Sequence, residues 1–316
     1  LVIDKESSFG RHVSSRNSEV IHSGIYYQPD SLKAKLCVRG NRMIYDFCDR
    51  YKIVYNKCGK LIVAHSDVEI NMLRDISLLA KNNGVSDTEI LSKKEALSIE
   101  PNVKCRKALW IPSTGIMDSH LIMSKLENLS LAKGVSFTYN LNLKSIEKDN
   151  NGYLIDFEND DIKITSDYVI NCGGLWAHNI ANKLLNYQYK VEYYKGDYFK
   201  TTQMKNLNCL IYPIPRKLSL GIHALINLNG EVLFGPNAYK VNKIDYHIDD
   251  TYKTLFIEEA NKLTTNKITE IYCDYSGIRP KIKYDGRFND FIIKEESSLK
   301  NFYNLIGIDS PGLTSS

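Results

Sequence analysis

Apolar positions along the chain repeat with two periods, and segments of the two kinds alternate. Met43, Ile44, Phe47, Cys48 and Tyr51 fall at helical spacing, which predicts one buried helix face. Met72, Leu73, Ile76, Leu79 and Ala80 repeat that spacing in a helix opened by the capping-box pair Ser66 and Glu69 and closed near Gly84. Ser92 and Glu95 form a second such pair, for a short helix stopped before Pro101. Asp118 caps a third helix, with Leu121, Ile122, Lys125 and Leu129 on one side and an end near Gly134. Short apolar runs between and after these helices predict strands at 1–5, 60–64 and 135–139, then a hairpin or meander over 143–148, 153–157 and 162–164. Residues 168–171 are too apolar to alternate, so they read as a strand buried on both faces.

From residue 190 the pattern changes. Strands at 191–200, 209–212, 220–226 and 231–234 follow one another across short turns, with Asn229-Gly230 as a hairpin signal. One helix over 249–263 interrupts them; strands resume at 267–277 and 291–294, and a last one at 302–306 runs into Gly307 to Gly312. The expected fold is therefore α/β. A doubly wound, Rossmann-like domain is built from 1–38, 112–185 and 302–316, with Ile3, Val169 and Leu305 in one sheet. A mainly antiparallel α+β domain, 39–111 and 186–301, is inserted into it.

Two stretches suggest what the first domain holds. The strand before Cys172 runs into Gly173 and Gly174 and then a helix, a turn that lets a nucleotide cofactor approach the backbone. Asp4 ends the first strand, where an acid accepts ribose hydroxyls. The strand and glycine-rich loop that usually precede such an acid are not in the sequence. It begins with Leu1 inside a strand and ends as a helix opens, so both ends read as cut.

Composition narrows the choice. The chain has 316 residues, enough for two domains, and a net charge of +4 with no basic stripe, which argues against nucleic acid. Seven irregularly spaced cysteines fit reduced thiols and a cytoplasmic setting, and none has zinc-type spacing. No apolar run matches a bilayer span.

The sequence resembles the L-2-hydroxyglutarate dehydrogenase/oxidase branch of the FAD-dependent D-amino-acid-oxidase-like superfamily over nearly its whole length. The resemblance rests on Arg16 to Ser18 with Val20 to Tyr27, Ser31 to Cys37, Cys58 to Val63, Ser113 to Ile116 with Asp118 to His120, Leu210 to Pro213, Gly235 to Ala238, Gly277 to Lys281 and Gly307 to Ser316. It implies FAD, an inserted substrate domain, and oxidation of a small dicarboxylate, L-2-hydroxyglutarate, to 2-oxoglutarate. It also implies cofactor contacts by Asp4, by Ser15, Arg16, Asn17 and Ser18, by Gly173 and Gly174, and by Gly307, Pro311, Gly312 and Leu313. Ser15 and Glu19 stand where the family pattern has glycine, Gly173 replaces alanine, His178 an acid and Lys195 an arginine. With the phosphate loop missing and Glu19 adding negative charge, this chain by itself is expected to bind FAD weakly. A non-catalytic relic and a related amino-acid- or amine-oxidising flavoenzyme stay open as alternatives, as do membrane-peripheral association, the electron acceptor and the oligomer.

Oxidising a 2-hydroxy acid requires a base for the hydroxyl proton and cations for the carboxylates. His223 is the first candidate base and His22 the second; Arg279, between a Gly-Ile pair and a proline, is the candidate carboxylate clamp. Lys195, Lys33 and Lys35 are candidates for the far carboxylate, and Tyr26 and Tyr27 for the pocket wall.

Overall fold

The computed structural model describes residues 1–150, 152–158, 161–215, 221–284, 287–288 and 290–316. It divides into two compact units. The first comprises Leu1–Ser15, Ser119–Tyr193 and Arg279–Ser310; the second Arg16–Asp118, Tyr194–Ile278 and Pro311–Ser316. Residues 16–38 thus pack with the second unit, and 279–301 with the first.

In the first unit, strand Val169–Asn171 lies parallel to Leu299–Ile306, which pairs antiparallel with Ile292–Glu296. The meander is present as antiparallel strands Leu143–Asp149, Gly152–Phe157 and Lys163–Ser166. Helix Ala177–Asn182 buries Ala177 and Ala181 against Tyr153, Phe302 and Ile306. Two expectations need correction. Tyr168 and Ile170 are 61% and 64% exposed, so the strand is covered on one face only. Its neighbours are apolar for β-propensity, not for burial. Val169 and Leu305 share a sheet, but Ile3 does not: Val2–Ile3 pairs only with Phe137–Thr138 among the described residues. The Val2 and Asp4 amides donate to Ser136 O and Thr138 O, which commits this edge of the strand to that segment.

A buried polar chain fixes the strand before the glycine turn. Asn171 Nδ2 donates to Ala177 O and to Asn304 Oδ1, both at 2.7 Å, and Asn171 Oδ1 accepts from the Gly173 amide at 3.2 Å. Asn304 Nδ2 passes the connection to Glu296, whose carboxylate also accepts from Tyr187 and Tyr189. Burial acts to raise the Glu296 pKa, but these hydrogen bonds and the Lys294 ammonium 3.3 Å away outweigh it and leave it below 4.5. A depressed carboxyl pKa stabilises the fold at neutral pH, and that contribution is lost as pH falls through the folded value. Denaturant unfolding measured between roughly pH 6 and pH 3 is expected to show a stability loss that flattens in Glu296→Gln. A variant profile as steep as the wild type's would remove Glu296 as its source.

The second unit is built on a mixed sheet. Beside Tyr272–Tyr284, its strands follow in the order Val191–Thr201, Val232–Gly235, His223–Ile226, Leu210–Tyr212, Lys60–Ala64, Lys107–Ile111 and Glu89–Ser92. Most neighbours are antiparallel, as expected; Leu210–Tyr212 runs parallel to Lys60–Ala64. The strand read as 220–226 is seen from His223, and Leu220 lies outside the described residues. Helix Leu32–Tyr51 starts at Ser31, whose hydroxyl accepts from the Ala34 amide, and buries Ala34, Cys37, Asn41, Ile44, Tyr45 and Cys48. Helix Asp67–Asn82 uses half of its expected capping box. Ser66 Oγ accepts from the Glu69 amide, whereas the Glu69 carboxylate takes the amide of His65. The box at Ser92 and Glu95 is complete.

Candidate active site

The turn that carries His22 is held from three sides within the second unit. Val20–Ile21 pairs antiparallel with Gly115–Met117. The His22 amide donates to Thr314 Oγ1 at 3.1 Å, and the Thr314 hydroxyl donates to Val20 O. The His22 carbonyl accepts from Asn41 Nδ2 at 3.0 Å and from the Cys37 thiol. Thr314 reaches this strand because Gly40 has no Cβ: a Cβ there would lie 1.7 Å from Thr314 O. The imidazole is therefore presented on a fixed backbone, in a residue that is half-buried overall. Burial, with the nearby Lys60 ammonium, lowers its pKa to about 3, so the ring is neutral at any working pH.

Lys60 opens the wholly buried strand Lys60–Ala64 and is itself only 1% exposed. Its ammonium lies 4.8 Å from the Tyr26 ring centroid and 4.7 Å from that of Tyr212. Desolvation lowers its pKa to about 7. Tyr212 stacks on His223, with ring centroids 3.5 Å apart and planes 8° from parallel. His223 is buried at the start of its strand, in register with Gly235. His22, Lys60, Tyr26, Tyr212 and His223 thus form one connected set in the second unit.

The other candidates are placed elsewhere. Lys195 is buried; its ammonium donates to His247 O and lies 4.0 Å from Asp197, which also accepts from Tyr239. Lys35 is exposed and pairs with Asp30, and Lys33 is half-buried on the same helix. Arg279 is half-buried on strand Tyr272–Tyr284, where the third segment of the first unit begins. A cleft of about 570 Å³ in the second unit is lined by Tyr246, His247, Ile248, Asp249, Asp250 and Cys273. Its two carboxylates give it the wrong sign for an acidic substrate, so the connected set around Lys60 is the better candidate despite the cleft's size.

The residues expected at the cofactor divide between the units. In the first, Asp4 Oδ1 accepts from the Glu6 amide, and Ser15 Oγ donates to His12 O. Gly174 has φ +53° and no heavy atom within 4 Å of a Cβ built on it, so its backbone is open to close approach. Gly173 and Gly307 are glycine for packing: added Cβ atoms would meet Ile180 and Ile282 side chains at 2.6 and 2.5 Å. In the second unit, Arg16 lies over the Tyr246 ring and Asn17 Oδ1 accepts from the Glu19 amide. Glu19 keeps φ 54°, a left-handed conformation natural to glycine. Pro311, Gly312 and Leu313 lead into the short helix Gly312–Ser315, with Pro311 and Gly312 buried.

Comparison with known proteins identifies the family. The model of the DAO family, FAD dependent oxidoreductase, matches residues 1–316. The chain belongs to this family. An L-2-hydroxyglutarate dehydrogenase, mitochondrial, of Arabidopsis thaliana is 36% identical, a match covering the whole chain and 76% of that protein. An L-2-hydroxyglutarate dehydrogenase of Escherichia coli K12 is 32% identical across 84% of the chain and 65% of its own length. Among solved structures, the FAD-bound L-alpha-glycerophosphate oxidase of Mycoplasma pneumoniae superposes with a TM-score of 0.88 at 25% identity, covering 99% of the chain and 84% of that structure. The Rossmann-like FAD-binding fold and the family's dependence on FAD follow. The open backbone at Gly174 fits a group that needs close approach, as the flavin dinucleotide does. No helix among the described residues is long and apolar enough to cross a membrane.

Lys60, Asn41 and Thr314 were not legible as site residues. For Lys60 a signal exists: it opens a run, Leu61 to Ala64, apolar enough to be buried on both faces, so a lysine in register with it is buried too. Asn41 and Thr314 act across 19 and 292 residues of sequence, and no local pattern marks them.

Proposed function

We propose that the protein oxidises L-2-hydroxyglutarate to 2-oxoglutarate, with FAD held by the residues named above. The observation that carries this reading is the relative of that name matched over the entire chain. When bound, FAD supplies the hydride acceptor. The chain's own part is to bind a small acid, orient it, and take the proton of its C2 hydroxyl. His22 is the base in this reading, because its imidazole is neutral and the residue is half-buried, while His223 is fully buried and stacked. Lys60 is charged next to it below about pH 7 and supplies attraction for an anion. Arg279 stays in the reading on chemistry alone, as a planar guanidinium suited to a carboxylate.

The test is anaerobic reduction of the full-length, FAD-loaded protein, followed by flavin bleaching. Bleaching by L-2-hydroxyglutarate, with equimolar 2-oxoglutarate formed, is the expected result. A flavin bleached only by glycerol 3-phosphate, in keeping with the 30%-identical glycerol 3-phosphate dehydrogenase of Caloramator mitchellensis, or only by amino acids, would replace it.

A further inference from the structure

We infer that Lys60, Tyr26 and Tyr212 together form a buried subsite that holds one carboxylate of the acid substrate.

The set is made of donors without an acceptor. Lys60 is 1% exposed, yet no acidic side chain among the described residues pairs with its ammonium. The Tyr26 and Tyr212 hydroxyls are buried, and neither has a hydrogen-bond partner among the described residues. Tyr212 is close enough to Tyr26 to raise its pKa further, and both rings flank the same ammonium. A buried cation without a counter-charge and two buried hydroxyls without partners are each destabilising. Retaining all three in one place makes sense if an anionic oxygen ligand satisfies them. A carboxylate offers about four lone-pair sites for these donors and a single negative charge to match one ammonium. A phosphate dianion would bring a second charge that nothing in this set neutralises.

Proximity to His22 gives the subsite a consequence for the reaction. The Lys60 charge depresses the basicity of His22. A carboxylate seated on Lys60 cancels that charge, the smaller of the two causes after burial, and so returns part of the imidazole's proton affinity when the acid binds. The ionisable groups that act on Lys60 or His22 are each other and Cys37, and the Tyr26 and Tyr212 rings lie against the ammonium; burial keeps Cys37, Tyr26 and Tyr212 protonated. The ligand-free subsite should therefore lose its charge above about pH 7 through Lys60 alone.

This inference rests on the proposed function for its substrate class but is tested by binding. Glutarate, which has both carboxylates and no hydroxyl to oxidise, is titrated calorimetrically into the full-length FAD-loaded protein. Lys60→Met should weaken glutarate by about 10- to 150-fold, and Tyr212→Phe and Tyr26→Phe by about 2- to 10-fold each. Wild-type affinity should fall as pH rises above about 7, and Lys60→Met should lose that dependence. Lys60→Met removes an uncompensated buried charge, so it should melt at or above the wild-type temperature; the tyrosine variants provide the independent check if it does not. Glutarate affinity unchanged in Lys60→Met and in both tyrosine variants overturns the subsite. Inorganic phosphate bound through Lys60 in place of glutarate overturns the carboxylate assignment. Lys60-dependent glutarate binding by a protein that fails to oxidise L-2-hydroxyglutarate leaves the subsite standing and removes the proposed function; oxidation with Lys60-independent binding does the reverse.

Discussion

Replacing His22 with alanine should lower kcat by about 10²- to 10⁴-fold, the range typical for removal of a general base. The fall should appear mainly in kcat, since the neutral ring contributes little to holding an anion. With His22 as the base, His223→Ala should cost less, because His223 is buried and stacked on Tyr212. The pH profile gives a second readout. With the free-enzyme imidazole pKa near 3, the acid limb of kcat/KM should stay flat down to about pH 5. Steady-state kinetics on the full-length holoprotein decide the assignment. Near-full turnover in His22→Ala together with a large loss in His223→Ala would exchange the two roles.

Gly40→Ala should damage both stability and activity, although Gly40 is chemically silent. Its Cβ would sit 1.7 Å from Thr314 O and 3.3 Å from Ser315 Cα, backbone atoms that cannot rotate away. Either helix Leu32–Tyr51 or helix Gly312–Ser315 must shift. Thr314 would then lose its bonds to the His22 amide and the Val20 carbonyl. Overpacking of this kind costs about 1–3 kcal/mol and at times more. Alanine's better helix propensity returns at most about 1 kcal/mol. Thermal unfolding should show the loss, and turnover should drop because the His22 backbone is no longer held. A Gly40→Ala variant as stable and as active as wild type would show that the packing of Thr314 does not position His22. Thr314→Val separates the effects, since it removes the hydroxyl while leaving Gly40 uncrowded.

Much of the fold is written in local sequence. The helices over 43–51 and 72–80, the complete capping box at Ser92 and Glu95, the meander and the Asn229-Gly230 turn appear where their periods and turn residues put them, but the buried faces are turned from the expected ones: Met43 is 50% and Met72 38% exposed, while Asn41, Tyr45 and Ile70 are buried. These signals work because a helix face or a tight turn is specified by residues within a few positions of one another. The family too is legible, because many short motifs in a fixed order leave few alternatives. Local pattern misjudged the strand at Val169, where apolar residues stand on an exposed face, since β-branched side chains suit a strand whether or not it is covered.

The site was legible only in its parts. The sequence singles out His22, His223 and the two tyrosines at 26 and 27, each as one candidate among several. Only the tertiary structure brings Lys60 between Tyr26 and Tyr212 and stacks His223 on Tyr212, because pairing of Leu210–Tyr212 with Lys60–Ala64 joins strands about 150 residues apart. The state of each ionisable group was decided there as well. A lysine reads as a solvated cation in any sequence; its pKa near 7 comes from desolvation, which depends on what surrounds it in space. Likewise Lys195, one of three lysines considered for the far carboxylate, is found buried against His247 O and Asp197. The sequence determined the elements and the family, which depend on near neighbours and on motif order. The fold determined which donors converge and which remain unmet, because burial and charge act through distance in space and not along the chain.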